Sequence, residues 1–140
     1  MRRFYRIGLG LGAILAVGLF PSITSAQTTS FTIDREARLS PGGTLISVSG
    51  SITCEAGKFA ELTTRSTQGD GSHQESAASF TFPFACLGSP QIWQAVQESN
   101  TGPFHKGKAT VVANAFVFDL FGGGETVLID ETLRLRSETR

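Results

Sequence analysis

The chain is short of the residues that most protein chemistry uses. Among its 140 residues are two histidines, two cysteines, one tryptophan, one tyrosine and one methionine. Clustered cations are missing too: Arg134, Arg136 and Arg140 are interleaved with Glu131 and Glu138. A phosphate-binding face needs such a cluster, so nucleic acid is not an expected partner. No apolar run reaches the roughly 20 residues that carry a helix across a bilayer. Glu125, Asp130 and Glu131 lack the alternating pattern of a calcium loop, and no metal or cofactor is called for. These three carboxylates read instead as a solvated strand edge that discourages pairing between molecules.

What is present begins with an address. Arg2, Arg3 and Arg6 precede an uncharged apolar run from Ile7 to Phe20, and small residues, Thr24-Ser25-Ala26, close the segment. This is the pattern of a secretory signal peptide over residues 1–26, with the mature chain starting near Gln27. The alternative is an uncleaved anchor that begins in the cytoplasm. The expected location is secreted or periplasmic, without stable membrane insertion of the mature chain. Removing 26 of 140 residues leaves 114, one domain's worth. Nine basic residues then face twelve acidic ones, a net charge of −3.

Cys54 and Cys86 are the only cysteines. In an exported protein one even pair implies one bridge. A loop of about 33 residues closed this way stabilises a fold by roughly 3 to 4 kcal/mol. A reactive thiol would need a C-x-x-C pair or a neighbouring His, and the sequence has neither.

Along the mature chain, apolar residues recur at every second position in runs cut by glycine-rich turns, the period of strands. Ser30 to Leu39 forms a first strand, ended by Ser40-Pro41-Gly42-Gly43. In the next, Ile46, Val48, Gly50, Ile52 and Cys54 share one face against Ser47, Ser49, Ser51 and Thr53, as in a half-buried strand. A third runs from about Lys58 to Gln68, and Gly69-Asp70-Gly71 turns it into a hairpin. Phe80, Phe82, Phe84 and Cys86 share one parity, which predicts an aromatic face pointing inward, with Pro83 marking an edge or a bulge. Gln91 to Glu98 alternates around Trp93, expected in the core near the bridge. Lys108 to Leu120 predicts a central strand covered on both faces. A last strand carries Val127, Ile129, Leu133 and Leu135, with a frayed tail from Ser137 to Arg140. About seven strands at this spacing predict an all-β, antiparallel two-sheet sandwich over residues 27–140.

One motif order adds to this. Ile52-Thr53-Cys54, then Cys86-Leu87-Gly88 with Trp93, then Phe104-His105-Lys106-Gly107-Lys108-Ala109 resembles small exported bacterial immunoglobulin-like domains. The resemblance implies an immunoglobulin-like sandwich with a disulfide and brings no catalytic residue with it.

Two functional expectations follow. Removing Phe4 and Phe20 leaves nine phenylalanines, more than a core of this size must bury. By default they fill the space between the sheets; if one set faces outward, it can bind a partner surface, a glycan or a hydrophobic ligand. The preferred expectation is a noncatalytic exported binding or structural module that contacts a macromolecule or glycan at the cell surface. Its apolar patch would join Phe104 and Phe121 in adjacent turns, with His105 beside them. The alternative is a small exported hydrolase or ligand carrier, using a cavity between the sheets into which His73 or His105 projects beside a carboxylate. Ser72, His73 and Asp70 can be written as a triad, but they sit together on one polar loop without a scaffold.

Overall fold

The computed structural model describes residues 28–70 and 72–138. The signal peptide expected over residues 1–26 lies outside the described residues, as do Gly71 of the expected hairpin and the last two residues of the expected tail. Nine strands make up the described chain: β1 (Ser30–Ile33), β2 (Glu36–Leu39), β3 (Leu45–Thr53), β4 (Phe59–Asp70), β5 (His73–Phe80), β6 (Phe84–Ala85), β7 (Gln91–Ser99), β8 (Gly107–Phe118) and β9 (Gly124–Ser137). The all-β expectation holds. β9 runs through Ser137, and the Glu138 amide donates to the Leu39 carbonyl at 3.0 Å, so the expected fraying does not begin at Ser137.

The expected two-sheet immunoglobulin-like sandwich does not hold. The strands follow one another in the order β2, β9, β8, β4, β5, β7, β3 and back to β2, a closed seven-strand barrel. Two short ladders close it: Ala77 and Ala78 of β5 pair with Ser99 and Glu98 of β7, and Arg38 and Leu39 of β2 pair with Ser47 and Ile46 of β3. Alternating sequences state which side chains face in, and that is the same for a barrel wall and a sandwich sheet. Where strands meet at their edges is a tertiary matter.

β1 and β2 are one strand interrupted at Asp34-Arg35. The sum of paired numbers along β3 rises from 83 (Ser30 with Thr53) to 85 (Arg38 with Ser47), so two extra residues are accommodated there. An even insertion keeps parity, and Phe31, Ala37 and Leu39 all remain buried. β2 then runs parallel to β9, beside which β8 forms the longest ladder.

The inner wall is built from small and medium side chains. On β8, Ala109, Val111, Ala113, Ala115 and Val117 point inward and are buried. Its other face, expected to be covered, is only partly shielded. Trp93 is buried on β7, its ring 5.4 Å from that of Phe31, and its indole N–H donates to the Thr32 carbonyl at 3.2 Å. This contact needs Gly50: a Cβ there would lie 1.9 Å from the Thr32 carbonyl oxygen and 2.8 Å from the Trp93 ring. Gln97 is also buried, donating to the Thr64 hydroxyl at 2.8 Å. The two cysteines are bonded to each other with a Cα–Cα distance of 5.4 Å, and both are buried.

Two stability outcomes follow. Reducing the Cys54–Cys86 bridge should lower unfolding free energy by about 3 to 4 kcal/mol, read as a shifted denaturant midpoint with and without reductant. Gly50→Ala, which drives a methyl into a backbone carbonyl, should cost at least about 2 kcal/mol and lower Tm by about 10 °C; an unchanged melt would contradict the close approach of β1 to β3.

Candidate functional site

Most of the phenylalanines are not in the core. Of the nine in the mature chain, Phe31 and Phe104 are buried and Phe84 packs against the core from its margin. The others stand on the outer wall or in loops. The default expectation of phenylalanines filling the interior is therefore corrected, because the inward positions are already occupied by alanine and branched aliphatic residues.

Local geometry explains the reversal for β5 and β6. Thr63 pairs with Phe80, a sum of 143, whereas Ala60 pairs with Phe84 and Phe59 with Ala85, a sum of 144. One extra residue is inserted across Thr81-Phe82-Pro83, where the Thr81 amide still reaches the Leu62 carbonyl at 2.8 Å. A one-residue bulge flips every side chain beyond it to the other face. Phe84 therefore turns toward the interior with Cys86, while Phe80 and Phe82 are 67 % and 83 % exposed. The expected inward face of Phe80, Phe82 and Phe84 is thus split by the bulge that Pro83 marks.

On β8 the outward parity carries Val112, Asn114, Phe116 and Phe118, and on β4 it carries Phe59, Glu61, Thr63 and Arg65. Phe59 faces Phe118 across the ladder with ring centroids 6.0 Å apart, and Phe116 stacks on Phe118 at 5.3 Å. Phe80 and Phe82 form an edge-to-face pair at 5.9 Å. The Phe116 ring lies over Gly124, where a Cβ would meet it at 2.8 Å. Beside this aromatic end the face becomes mixed. One row across the strands reads Phe80, Thr63, Asn114, Leu128, and the next reads Ala78, Arg65, Val112, Asp130. A depression of about 590 Å³ lies there, lined by Thr63, Arg65, Phe80, Val112 and Asn114 among others.

The β8–β9 loop extends the aromatic end. The Asp119 carboxylate accepts from the amides of Phe121 (2.8 Å) and Gly123 (3.1 Å), and the Asp119 amide donates to the Gly123 carbonyl at 2.9 Å. Gly122 takes a φ of 93°, which closes this turn and which other residues rarely adopt. The hydrogen-bonded loop holds Phe121 99 % exposed. Nearby, the Glu55 carboxylate hydrogen-bonds the Lys58 ammonium at 2.9 Å and raises its pKa, with Glu125 and Asp119 adding to the effect.

Neither the family models nor the curated proteins match this chain. Its function therefore rests on its own geometry.

The residues singled out from the sequence are not brought together. Phe104 precedes β8 and Phe121 follows it, so they lie at opposite ends of a 12-residue strand, about 36 Å of extended chain. Phe104 is buried, its amide donating to the Gly43 carbonyl at 2.9 Å. His105 is exposed, and its backbone is clamped by the Gln68 side chain through bonds of 2.7 and 2.8 Å. Of these three expected binding residues, Phe121 alone stands at the aromatic end. His73 is exposed at the β4–β5 hairpin, where the Ser72 hydroxyl donates to Asp70 at 3.2 Å. Glu125, Asp130 and Glu131 are exposed along the stretch of β9 that β2 does not pair.

The residues the sequence reasoning left out are Phe59, Phe116, Phe118 and Leu128. Their signal was legible on β8: Phe116 and Phe118 share parity with Thr110 and Asn114, opposite to Ala109, Val111, Ala113, Ala115 and Val117. Phe104→Ala should cost about 3 to 5 kcal/mol by cavity formation, and Phe80→Ser less than about 1 kcal/mol. Denaturant titration of both variants checks the order, and the reverse order would contradict this packing.

Proposed function

We propose that this chain is an exported, noncatalytic binding module that contacts a macromolecule or glycan at the cell surface through its outer aromatic wall. The observation that carries this is the contiguous set Phe59, Phe116 and Phe118 at one end of the β4–β8 face, continued by Phe121. Single exposed apolar residues are ordinary, whereas a clustered aromatic surface marks a contact. Aromatic side chains bury large areas at little entropic cost, which is why they anchor interfaces.

Export is supported by the leader pattern of residues 1–26 and by the bridge, since disulfides persist in oxidising compartments. An aqueous exterior is supported by the direction of the alternation. On these strands Ser47, Ser49, Thr63 and Thr110 point outward while Ile46, Val48, Ile52, Leu62, Val111 and Val117 point inward, the reverse of the pattern of a membrane-spanning barrel. Nucleic acid is disfavoured by the charges on the face, where Arg65 stands with Glu61 and Asp130. The noncatalytic part draws on Ser72, whose hydroxyl is paired with Asp70 on an exposed turn.

The test is co-sedimentation with washed bacterial cell-envelope preparations. The protein should pellet with the envelope, and Phe116→Ser combined with Phe121→Ser should reduce retention by at least about tenfold. Ile92→Ser, on the opposite wall, should behave as the parent. Equal retention of all three, or none of any, would remove the aromatic end as the binding surface.

A further inference from the structure

We propose that the outward face where β2, β9 and the start of β8 run side by side binds a linear acidic glycan, a sugar polymer with a carboxylate or phosphate on each repeat. This surface is separate from the aromatic end, since Lys108 and Phe118 stand at opposite ends of β8. Cations that the sequence scatters among acids are gathered here by strand pairing. On β9, Arg134 stands between Lys108 of β8 and Glu36 of β2, and in the next row Arg136 stands opposite Arg38. Arg35 adjoins this face just before β2, where its carbonyl accepts from the Arg134 amide at 2.9 Å. Lys106 is the residue before β8, next in register to Arg136. All six cations are exposed.

Charge asymmetry, placement and pairing each point to a polyanion. Six cations share this quarter of the wall with three acids, Asp34, Glu36 and Glu138, whereas the other described residues hold two cations, Lys58 and Arg65, against nine acids. Without residues 1–26 the chain has a net charge of −3, yet this surface is positive and draws anions toward it. Lys108 opposite Arg134 and Arg136 opposite Arg38 set like charges directly across from each other, which costs stability in a sheet. Anions lying along the rows reverse that cost. Glu36 engages Arg136, and Asp34 accepts from the Ser49 hydroxyl. Among the described residues Arg38, Lys106, Lys108 and Arg134 enter no ion pair.

Shape and spacing select a linear chain. Neighbouring strands lie about 4.8 Å apart and alternate residues along a strand about 6.8 Å apart, so cations recur at intervals that suit one anion per sugar. A barrel wall is convex, so a flexible polymer follows both rows where a flat lipid surface meets only one. The leader pattern of residues 1–26 takes the chain away from intracellular nucleic acid.

Titration calorimetry on the full chain in oxidised form, at about 50 mM salt, tests this with a galacturonate oligomer and a mannose phosphate oligomer of about ten repeats each. The two probes separate carboxylate from phosphate recognition. The parent should bind at least one of them, with affinity falling by about tenfold or more at about 200 mM salt. A neutral dextran oligomer should not bind. Arg38→Gln, Lys108→Gln and Arg134→Gln together should weaken binding by at least about tenfold, while Lys58→Gln should match the parent. The triple variant removes opposed like charges and should melt no lower than the parent, which keeps loss of binding apart from loss of fold. If it does unfold, Lys106→Gln with Lys108→Gln takes its place. No binding of either oligomer, binding that survives these changes, or tighter binding to phosphatidylglycerol vesicles or to single-stranded DNA of equal charge overturns the proposal. Envelope retention through Phe116 and Phe121 is read separately, so either surface can fail without the other.

Discussion

A closed ring of strands has an interior of limited width, and here that width is set by alanine. Ala37, Ala60, Ala77, Ala95, Ala109, Ala113 and Ala115 all face inward and are buried. Opposing walls can approach closely only where side chains are this small, because interiors pack at near-crystalline density. Larger residues enter where the wall makes room: Trp93 beside Gly50, and Phe104 beneath the turn that follows β2. The remaining rings have no inward place, so the composition of the inner wall decides the chemistry of the outer one.

The bulge between β5 and β6 has a consequence larger than its size. Without it, the parity shared by Phe80, Phe82, Phe84 and Cys86 would carry all four to one face. The extra residue divides the set, sending Phe84 and Cys86 to the core and Phe80 and Phe82 to water. It serves two needs together, since Cys86 must be buried to meet Cys54 and the wall cannot admit three more rings. The interruption at Asp34-Arg35 is the contrasting case, where an even insertion leaves every inward residue inward.

The two ends of β8 differ accordingly. At its start, Phe104 is drawn under the β2–β3 turn and Gln68 ties down the His105 backbone, so this loop serves the fold. At its finish, just past the stacked Phe116 and Phe118, Asp119 organises a turn that presents Phe121 to solvent. These hydrogen bonds fix the backbone of the turn in advance, so covering Phe121 orders its side chain and not the loop. The mixed rows between Arg65 and Asp130 supply directional polar groups that the aromatic end lacks.

Much of this was legible before any coordinates. Period-two alternation located the strands, the turn at Pro41-Gly42-Gly43 and the inward set of β3, and an even cysteine count in a chain with a leader pattern pointed to the bridge. These features are local, because a strand's pleat assigns each side chain to a face with no reference to its neighbours. The closure of the wall into a barrel, the flip at Pro83 and the separation of Phe104 from Phe121 depend on which strand edges meet and in what register. Such pairings join residues far apart in the chain, and only the tertiary structure decides them.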